Sequence, residues 1–198
     1  MLNKSKLKEA LSLLAGKMEL HGFRPYEILV CGGAALIMNG FIKGVTKDVD
    51  AIGVVERSGT GEFKIKEFRE IPADLMVLIK EISEDLKLPG NWLNTEASGL
   101  VRYGLPEGFM ERAVTETFGK CLQVHFAGRL DLIYFKLYAA ADSGPGRHTE
   151  DLMILSPSKR EIEEASKWAL THDTSPGFRE ILKDMLRKLG YGKIAERI

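Results

Sequence analysis

The sequence predicts an α+β (α/β) fold, in which a small mixed β-sheet is flanked by helices and followed by a helical C-terminal part. Three observations support this prediction. Residues 26–55 show a strand pattern, a glycine turn, a short helix and a second strand. Residues 121–127 alternate as a further strand would, and from residue 129 onward the apolar periodicity is that of helices.

Length and composition indicate one ordinary globular domain over residues 1–198, with an α/β core at about residues 22–128 and a helical part at about residues 129–198. Lys+Arg and Asp+Glu balance at 28 each, so no overall charge excess indicates nucleic-acid binding or disorder. The chain ends are mildly basic, which solvated helix faces explain. The sequence has two cysteines, no apolar run of membrane-spanning length and no signal-peptide core. We therefore expect a cytoplasmic protein with reduced thiols and no membrane partner.

The first half of the chain divides into elements by its apolar pattern. Residues 4–20 carry one apolar stripe and predict a helix. Residues 26–31 predict a strand that ends at Gly32-Gly33, and residues 34–38 predict a short helix. The next strand is predicted to open at Val45-Thr46 and to continue to residue 55. Residues 63–68 fit either a short strand or an irregular link, and a helix is predicted to start near residue 71.

The second half is predicted mainly by its helical stripes and caps. Residues 91–94 suggest a packed aromatic beside a turn, residues 110–117 a turn or helix, and residues 121–127 a strand. Helices follow at residues 130–141 and 149–155, separated by a break at residues 143–146. A capping box with Ser158 and Glu161 predicts the start of the next helix, and Ser175-Pro176 predicts the start of the last long one.

Two acids, Asp48 and Asp50, stand two residues apart in the second predicted strand. Side chains at that spacing share one face of a strand, so the two carboxylates are expected to project together. Like charges repel, and a bound cation removes this penalty. Carboxylate oxygens suit Mg²⁺ bound together with the phosphates of a substrate. The alternative is an exposed edge strand whose acids deter aggregation.

The Gly32-Gly33 turn lies one helix upstream of the acids. Backbone N–H groups at such a turn can bind phosphate oxygens, and the absence of side chains permits a close approach. A phosphate cradle beside metal-binding acids predicts a nucleoside triphosphate and metal-assisted phosphoryl chemistry. A plain tight turn is the alternative for the glycine pair taken alone.

At these residues the sequence resembles the nucleotidyltransferase superfamily with the DNA polymerase β-like fold, and more closely its AbiEii-type branch from type IV toxin–antitoxin systems. The family pattern of a Gly-Gly turn, a short helix and Thr-x-Asp-x-Asp stands here as Gly32-Gly33 and residues 46–50. The second block of the family pattern consists of Lys and Ala on a helix, then Arg, then Asp-Leu. It stands here at Lys136, Arg147 and Asp151. The resemblance covers roughly residues 26–155.

The resemblance implies roles for the matching residues. Asp48 and Asp50 would be the catalytic metal ligands, for Mg²⁺ or Mn²⁺. Gly32, Gly33, Thr46, Lys136 and Arg147 would bind the nucleotide, with the Lys136 ammonium at the triphosphate. Asp151 would orient that lysine or assist proton transfer.

The second-block residues also have ordinary alternatives. Lys136 fits an exposed lysine on an amphipathic helix. Asp151 fits an acid that interacts with a helix N-terminus, and Arg147 fits a partner of Glu150 or Asp151.

The sequence departs from the wider superfamily at a third acid, which many relatives carry on a neighbouring strand. We expect that strand at residues 121–127, which hold Gln123 and His125 but no acid. Either two acids and the substrate hold the second metal, or Asp131 or Asp151 substitutes, or the protein binds nucleotide without turnover. His125 is expected to be a hydrogen-bonded sheet histidine rather than a metal ligand.

The resemblance thus implies a metal-dependent nucleotidyltransferase that moves NMP from an NTP to an acceptor. RNA, such as a tRNA 3′ end, is the leading acceptor and a protein hydroxyl the second. The protein would be the toxin of a type IV toxin–antitoxin system, with a cognate antitoxin as partner. One alternative is a catalytically degenerate protein of the same fold that binds nucleotide or a partner without turnover. The other alternative is a structural or regulatory protein whose acids bind no metal.

Overall fold

The computed structural model describes residues 1–59 and 61–198. The described residues form two compact units. The first unit comprises residues 1–105 and 113–128, and the second unit comprises residues 106–112 and 129–198. The first unit holds the β-sheet and the second is helical. The protein therefore has the predicted α+β fold.

The sheet of the first unit contains six described strands: β1 (Tyr26–Cys31), β2 (Val49–Arg57), β3 (Phe63–Glu67), β4 (Leu93–Asn94), β5 (Val114–Phe118) and β6 (Leu122–Phe126). Their order is β3-β2-β1-β6-β5, and β4 pairs with the start of β2. The β1–β6 and β2–β4 pairs are parallel, and the β1–β2, β2–β3 and β5–β6 pairs are antiparallel. The sheet is therefore mixed, as predicted.

Three helices and a short 3-10 helix complete the first unit: α1 (Lys4–Leu20), α2 (Gly32–Met38), α3 (Ala73–Asp85) and Ser98–Val101. The Asn3 side chain caps α1 by accepting a hydrogen bond from the Lys6 N–H. The apolar stripe of α1 is buried, and α1 and α2 pack on the sheet while α3 packs on α1. These contacts bury strand side chains such as Val30, Val124 and Phe126 completely.

The second unit consists of six described helices: α4 (Phe109–Arg112), α5 (Arg129–Ser143), α6 (Arg147–Leu155), α7 (Lys159–His172), α8 (Pro176–Lys188) and α9 (Gly192–Ala195). The α5 helix packs against α6, α7 and α8 and provides the core of the unit. The predicted capping box of Ser158 and Glu161 is confirmed at the start of α7. Ser175 caps α8, as predicted from Ser175-Pro176.

Two predicted boundaries are wrong. The second strand was predicted from Val45-Thr46 but begins at Val49. Thr46 instead forms an isolated antiparallel bridge with Leu2. The backbone at Thr46 is therefore hydrogen-bonded to the N-terminal segment, and the chain joins the sheet only after it. Residues 110–117 were predicted as a turn or helix, but only α4 is helical and β5 follows it.

None of the helices in the described part of the chain combines the length and the apolar character needed to cross a lipid bilayer.

Candidate functional site

The Gly32 turn and the Asp50 carboxylate are in direct contact. Gly32 begins α2 immediately after β1 and has φ +68°, a conformation that favours glycine. A Cβ at this position would overlap the Asp50 Oδ2 atom. Gly33, the next residue, is buried within α2. The absence of a side chain at Gly32 therefore makes room for one of the two predicted metal-binding acids.

Asp50 lies between two strands that fix its position. It is opposite Cys31 on β1 and Asn94 on β4 in the sheet register. The Asn94 Nδ2 group donates a hydrogen bond to Asp50 Oδ1 at 3.4 Å. Asp50 is half-buried, so its carboxylate is both held and accessible to a ligand.

Asp48 stands just before β2 and is also half-buried. The Thr46 hydroxyl donates a hydrogen bond to Asp48 Oδ1 at 3.3 Å. Thr46 is itself buried, and its backbone exchanges two hydrogen bonds with Leu2, of 2.7 and 2.9 Å. Thr46 therefore links Asp48 to the N-terminal segment, and the acids flank the fully buried Val49.

Asn94 is a site residue that the sequence reasoning missed. Residues 91–94 were read as a packed aromatic beside a turn, and Trp92 does pack in this way: it is fully buried and its Nε1–H donates to Ile79 O. The Trp92 carbonyl accepts a 2.6 Å hydrogen bond from the Val49 N–H, which brings β4 beside β2. Asn94 reaches Asp50 through this pairing.

The strand expected to carry a third acid lies elsewhere in the sheet. Residues 121–127 contain β6, which pairs with β1 and β5 rather than with β2. The strand beside Asp50 is β4, and it contributes the amide of Asn94. The prediction that residues 121–127 lie beside the acid-bearing strand is therefore wrong, because β1 lies between β6 and β2.

His125 is a hydrogen-bonded sheet histidine, as predicted. It is buried, with Nδ1 2.8 Å from Thr115 Oγ1 and Nε2 3.2 Å from Glu27 Oε2. Burial raises the pKa of Glu27, but hydrogen bonds from Arg57 and His125 outweigh it and leave the pKa below its usual value. An ionised Glu27 accepts only, so the hydrogen bond to Glu27 requires a proton on His125 Nε2.

Asp131, one of the two proposed substitutes for the third acid, is paired within the second unit. It is fully buried on α5, and Arg112 donates to its two oxygens at 2.6 and 3.1 Å. This bidentate contact joins α4 to α5 and gives the Asp131 charge a structural partner.

Lys136 and Asp151 form a buried ion pair in the second unit. The Lys136 Nζ lies 2.6 Å from Asp151 Oδ2, and both side chains are more than nine-tenths buried. Lys136 is therefore not the exposed lysine of an amphipathic helix. If Asp151 orients Lys136, the two side chains must touch, and this ion pair meets that requirement.

His148 lies on α6 beside this ion pair. Its Nδ1 atom is buried and accepts no hydrogen bond among the described residues. Burial lowers the pKa of His148 below its usual value, and the positive charges of Lys136 and Arg147 lower it further. Arg147 is exposed and forms no ion pair with Glu150 or Asp151 in the part of the chain that the structure describes.

The structure thus places the predicted site residues in two sets. Gly32, Gly33, Thr46, Asp48 and Asp50 lie in the first unit. Lys136, Arg147 and Asp151 lie in the second unit. The direct contacts within the first set are Gly32–Asp50 and Thr46–Asp48, and within the second set the direct contact is Lys136–Asp151.

The donor set of the first unit fits a hard divalent cation. Asp48 and Asp50 offer carboxylate oxygens, the ligands that Mg²⁺ takes when substrate phosphates complete its shell. The Asp50 carboxylate packs against the bare Gly32 backbone, in the position that a Cβ would take. Over residues 1–59 and 61–198, no group of three or more His, Cys, Asp or Glu side chains is arranged to hold a metal ion.

Comparison of the chain with protein-family models, with curated proteins and with solved structures finds no match.

Proposed function

We propose that this protein is a metal-dependent nucleotidyltransferase that moves NMP from an NTP to an acceptor. RNA, such as a tRNA 3′ end, is the first acceptor class and a protein hydroxyl the second. A role as the toxin of a type IV toxin–antitoxin system, with an antitoxin as partner, belongs to the same proposal. The observation that carries it is the contact between Asp50 and the side-chain-free Gly32.

Each residue of the first set has a task in this reaction. Asp48 and Asp50 would hold Mg²⁺ or Mn²⁺, and the bound ion would supply positive charge beside the phosphate oxygens. Thr46 and Asn94 fix the two carboxylates through their hydrogen bonds. Gly32 and Gly33 would offer the phosphates the backbone N–H groups at the start of α2. The oxygen of the acceptor hydroxyl forms a bond to the α-phosphorus and loses its proton to solvent, and the bond between the α-phosphorus and the leaving pyrophosphate breaks.

A labelled-transfer assay tests this proposal. The protein is incubated with α-³²P-labelled NTPs, Mg²⁺ or Mn²⁺ and either deproteinised small RNA or a protein extract, and the labelled product is separated. We expect label transfer by the wild type and its loss in Asp48→Asn and Asp50→Asn. Glu56→Gln is the matched control, because Glu56 is an exposed acid on the same strand that pairs with the exposed Lys66.

Undiminished transfer by either aspartate variant would rule out the assigned ligands. The roles implied for Lys136, Arg147 and Asp151 are predictions that Lys136→Ala, Arg147→Ala and Asp151→Asn test in the same assay.

A second candidate is a nucleotide-binding protein of this fold without turnover. Asn94 favours it, because an amide stands beside Asp50 where the strand neighbouring the acids could have carried a third carboxylate. This candidate predicts metal-dependent NTP binding with no pyrophosphate release with any NTP or metal.

A further inference from the structure

Two arginines of the first unit share one carboxylate. The Arg69 Nε group donates to Glu67 Oε2 at 2.9 Å, and the Arg102 Nη2 group donates to Glu67 Oε1 at 3.0 Å. The Glu67 side chain is 10% exposed, whereas the side chains of Arg69 and Arg102 are 71% and 53% exposed. The carboxylate is thus enclosed by two guanidinium groups that face solvent.

The two arginines extend from segments beside the strand that carries Asp50. Glu67 pairs with Gly53 of β2, three residues after Asp50. The Arg69 carbonyl accepts a 3.1 Å hydrogen bond from the hydroxyl of Thr95, the residue after Asn94. Arg102 follows the 3-10 helix Ser98–Val101, which packs on β2 and β3.

One arginine would balance the charge of the largely buried Glu67 carboxylate, so charge compensation does not require the second. Holding a second long side chain on the same carboxylate costs conformational entropy. Hydrogen bonds from Arg102 and then Arg69 lower the pKa of Glu67, which keeps the carboxylate ionised. One negative charge then orients two positive ones, so the cluster keeps a net positive charge with guanidinium N–H groups directed to solvent.

An exposed aromatic ring adjoins this cluster. Tyr103 follows Arg102 and is 63% exposed. Guanidinium groups that pair with phosphates, together with an aromatic ring on which a base can stack, are the combination that binds single-stranded nucleic acid. A partner recognised by charge alone would have no use for the ring.

We infer that Arg69, Arg102 and Tyr103 form a docking surface, here called the Arg–Tyr surface, for a single-stranded polynucleotide. The two guanidiniums bind successive phosphates and the Tyr103 ring stacks on a base. This inference rests on the proposed function, because the strand it binds is the acceptor of the transferred nucleotide.

Fluorescence anisotropy with a labelled oligouridylate of about 16 nucleotides tests the Arg–Tyr surface. We expect the Arg69→Ala, Arg102→Ala double variant to bind more weakly. The slope of its log affinity against log salt concentration should fall by the equivalent of about one to two phosphate contacts. Tyr103→Ala is expected to weaken binding roughly 5- to 100-fold, whereas Tyr103→Phe keeps the ring and the affinity. Arg24→Ala is the matched control, because Arg24 is an exposed arginine of the same unit.

Three results would overturn the inference. The first is unchanged affinity in the double arginine variant, and the second is an equal loss of affinity in Arg24→Ala. The third is unchanged affinity in Tyr103→Ala together with displacement of the RNA by poly-glutamate, since the surface would then recognise charge alone. An oligothymidylate run in parallel identifies the strand: tighter RNA binding points to RNA, and equal binding to chemistry shared with DNA. Circular dichroism confirms that each variant is folded.

The same variants separate this inference from the proposed function. Metal-dependent stabilisation by NTPs is expected to be unchanged in all of them, because the Arg–Tyr surface does not include Asp48 or Asp50. RNA binding at the Arg–Tyr surface without any NTP effect in the wild type would leave the surface standing and remove the transferase. Stabilisation of the wild type by NTPs without RNA binding would leave the proposed function standing and remove the Arg–Tyr surface.

Discussion

Gly32 is the residue that links the backbone turn to a candidate metal ligand. In Gly32→Ala the new side chain meets both a strained positive φ and the Asp50 carboxylate. We expect the free energy of unfolding to fall by roughly 1–3 kcal/mol and metal-dependent NTP binding to be lost, because Asp50 must move. Chemical denaturation and a binding titration measure the two effects.

Gly16→Ala is the control for that substitution. Gly16 is exposed within α1, and a Cβ there meets nothing within 4 Å. This variant is expected to gain roughly 0.5–1 kcal/mol, because alanine is the better helix former. A Gly32→Ala protein that binds NTP like the wild type would contradict the close contact with Asp50.

His148 gives the stability of the second unit a pH dependence. Its pKa is lowered by burial, so the unfolded imidazole takes up a proton at a pH where the folded one does not. The unfolded state then binds more protons, and the free energy of unfolding decreases as the pH falls from about 7 to about 5. We expect His148→Gln to lose less stability than the wild type over this range, measured by denaturation at each pH.

The exposed His21 provides the comparison for His148, and His21→Gln is expected to follow the wild type. Equal losses in the wild type and in His148→Gln would show that burial does not disfavour the charged form of His148.

At the scale of elements, α5 and α6 are joined by the Lys136–Asp151 ion pair. Removing one partner leaves an uncompensated buried charge, so Asp151→Asn is expected to cost about 3–5 kcal/mol of unfolding free energy. The Lys136→Met, Asp151→Leu double variant should recover most of that loss, since no buried charge remains. Urea denaturation of the wild type, Asp151→Asn, the single variants Lys136→Met and Asp151→Leu and their double variant completes the cycle.

An exposed pair serves as the reference for this cycle. Glu163 pairs with Lys167 on the surface of α7, and Glu163→Gln is expected to change stability little. A loss of that small size in Asp151→Asn would mean that the Lys136–Asp151 contact is not held in the folded protein.

Elements differ in how far the sequence reveals them. The helices α1, α3, α7 and α8 carry clear apolar stripes or caps. The strand β1 is an apolar run of strand formers and β6 alternates, so these patterns predict their elements well. The edge strand β5 was missed because its Thr and Glu side chains are largely exposed and offer no buried face to the pattern. The two-residue β4 exists only through its pairing with β2, which no local pattern can show.

The residues of the candidate site also differ in how far the sequence reveals them. Gly32, Asp48 and Asp50 were predicted because their residue types and spacing carry chemistry in one continuous stretch. Asn94 was not, because it reaches Asp50 through a strand pairing across more than forty residues of sequence. The Lys136–Asp151 contact lay between these cases: the resemblance paired the residues, but their burial is a property of the packed helices.

At the scale of the whole molecule, the central claim is that a metal and an NTP bind at Asp48 and Asp50. Thermal unfolding with each of the four NTPs, with and without Mg²⁺ or Mn²⁺, tests it most directly on the wild type and on the Asp48→Asn, Asp50→Asn double variant. We expect a metal-dependent stabilisation, about 2.7 kcal/mol at a hundred times Kd, that the double variant loses. The absence of any shift in the wild type, or an equal shift in the double variant, would contradict the claim.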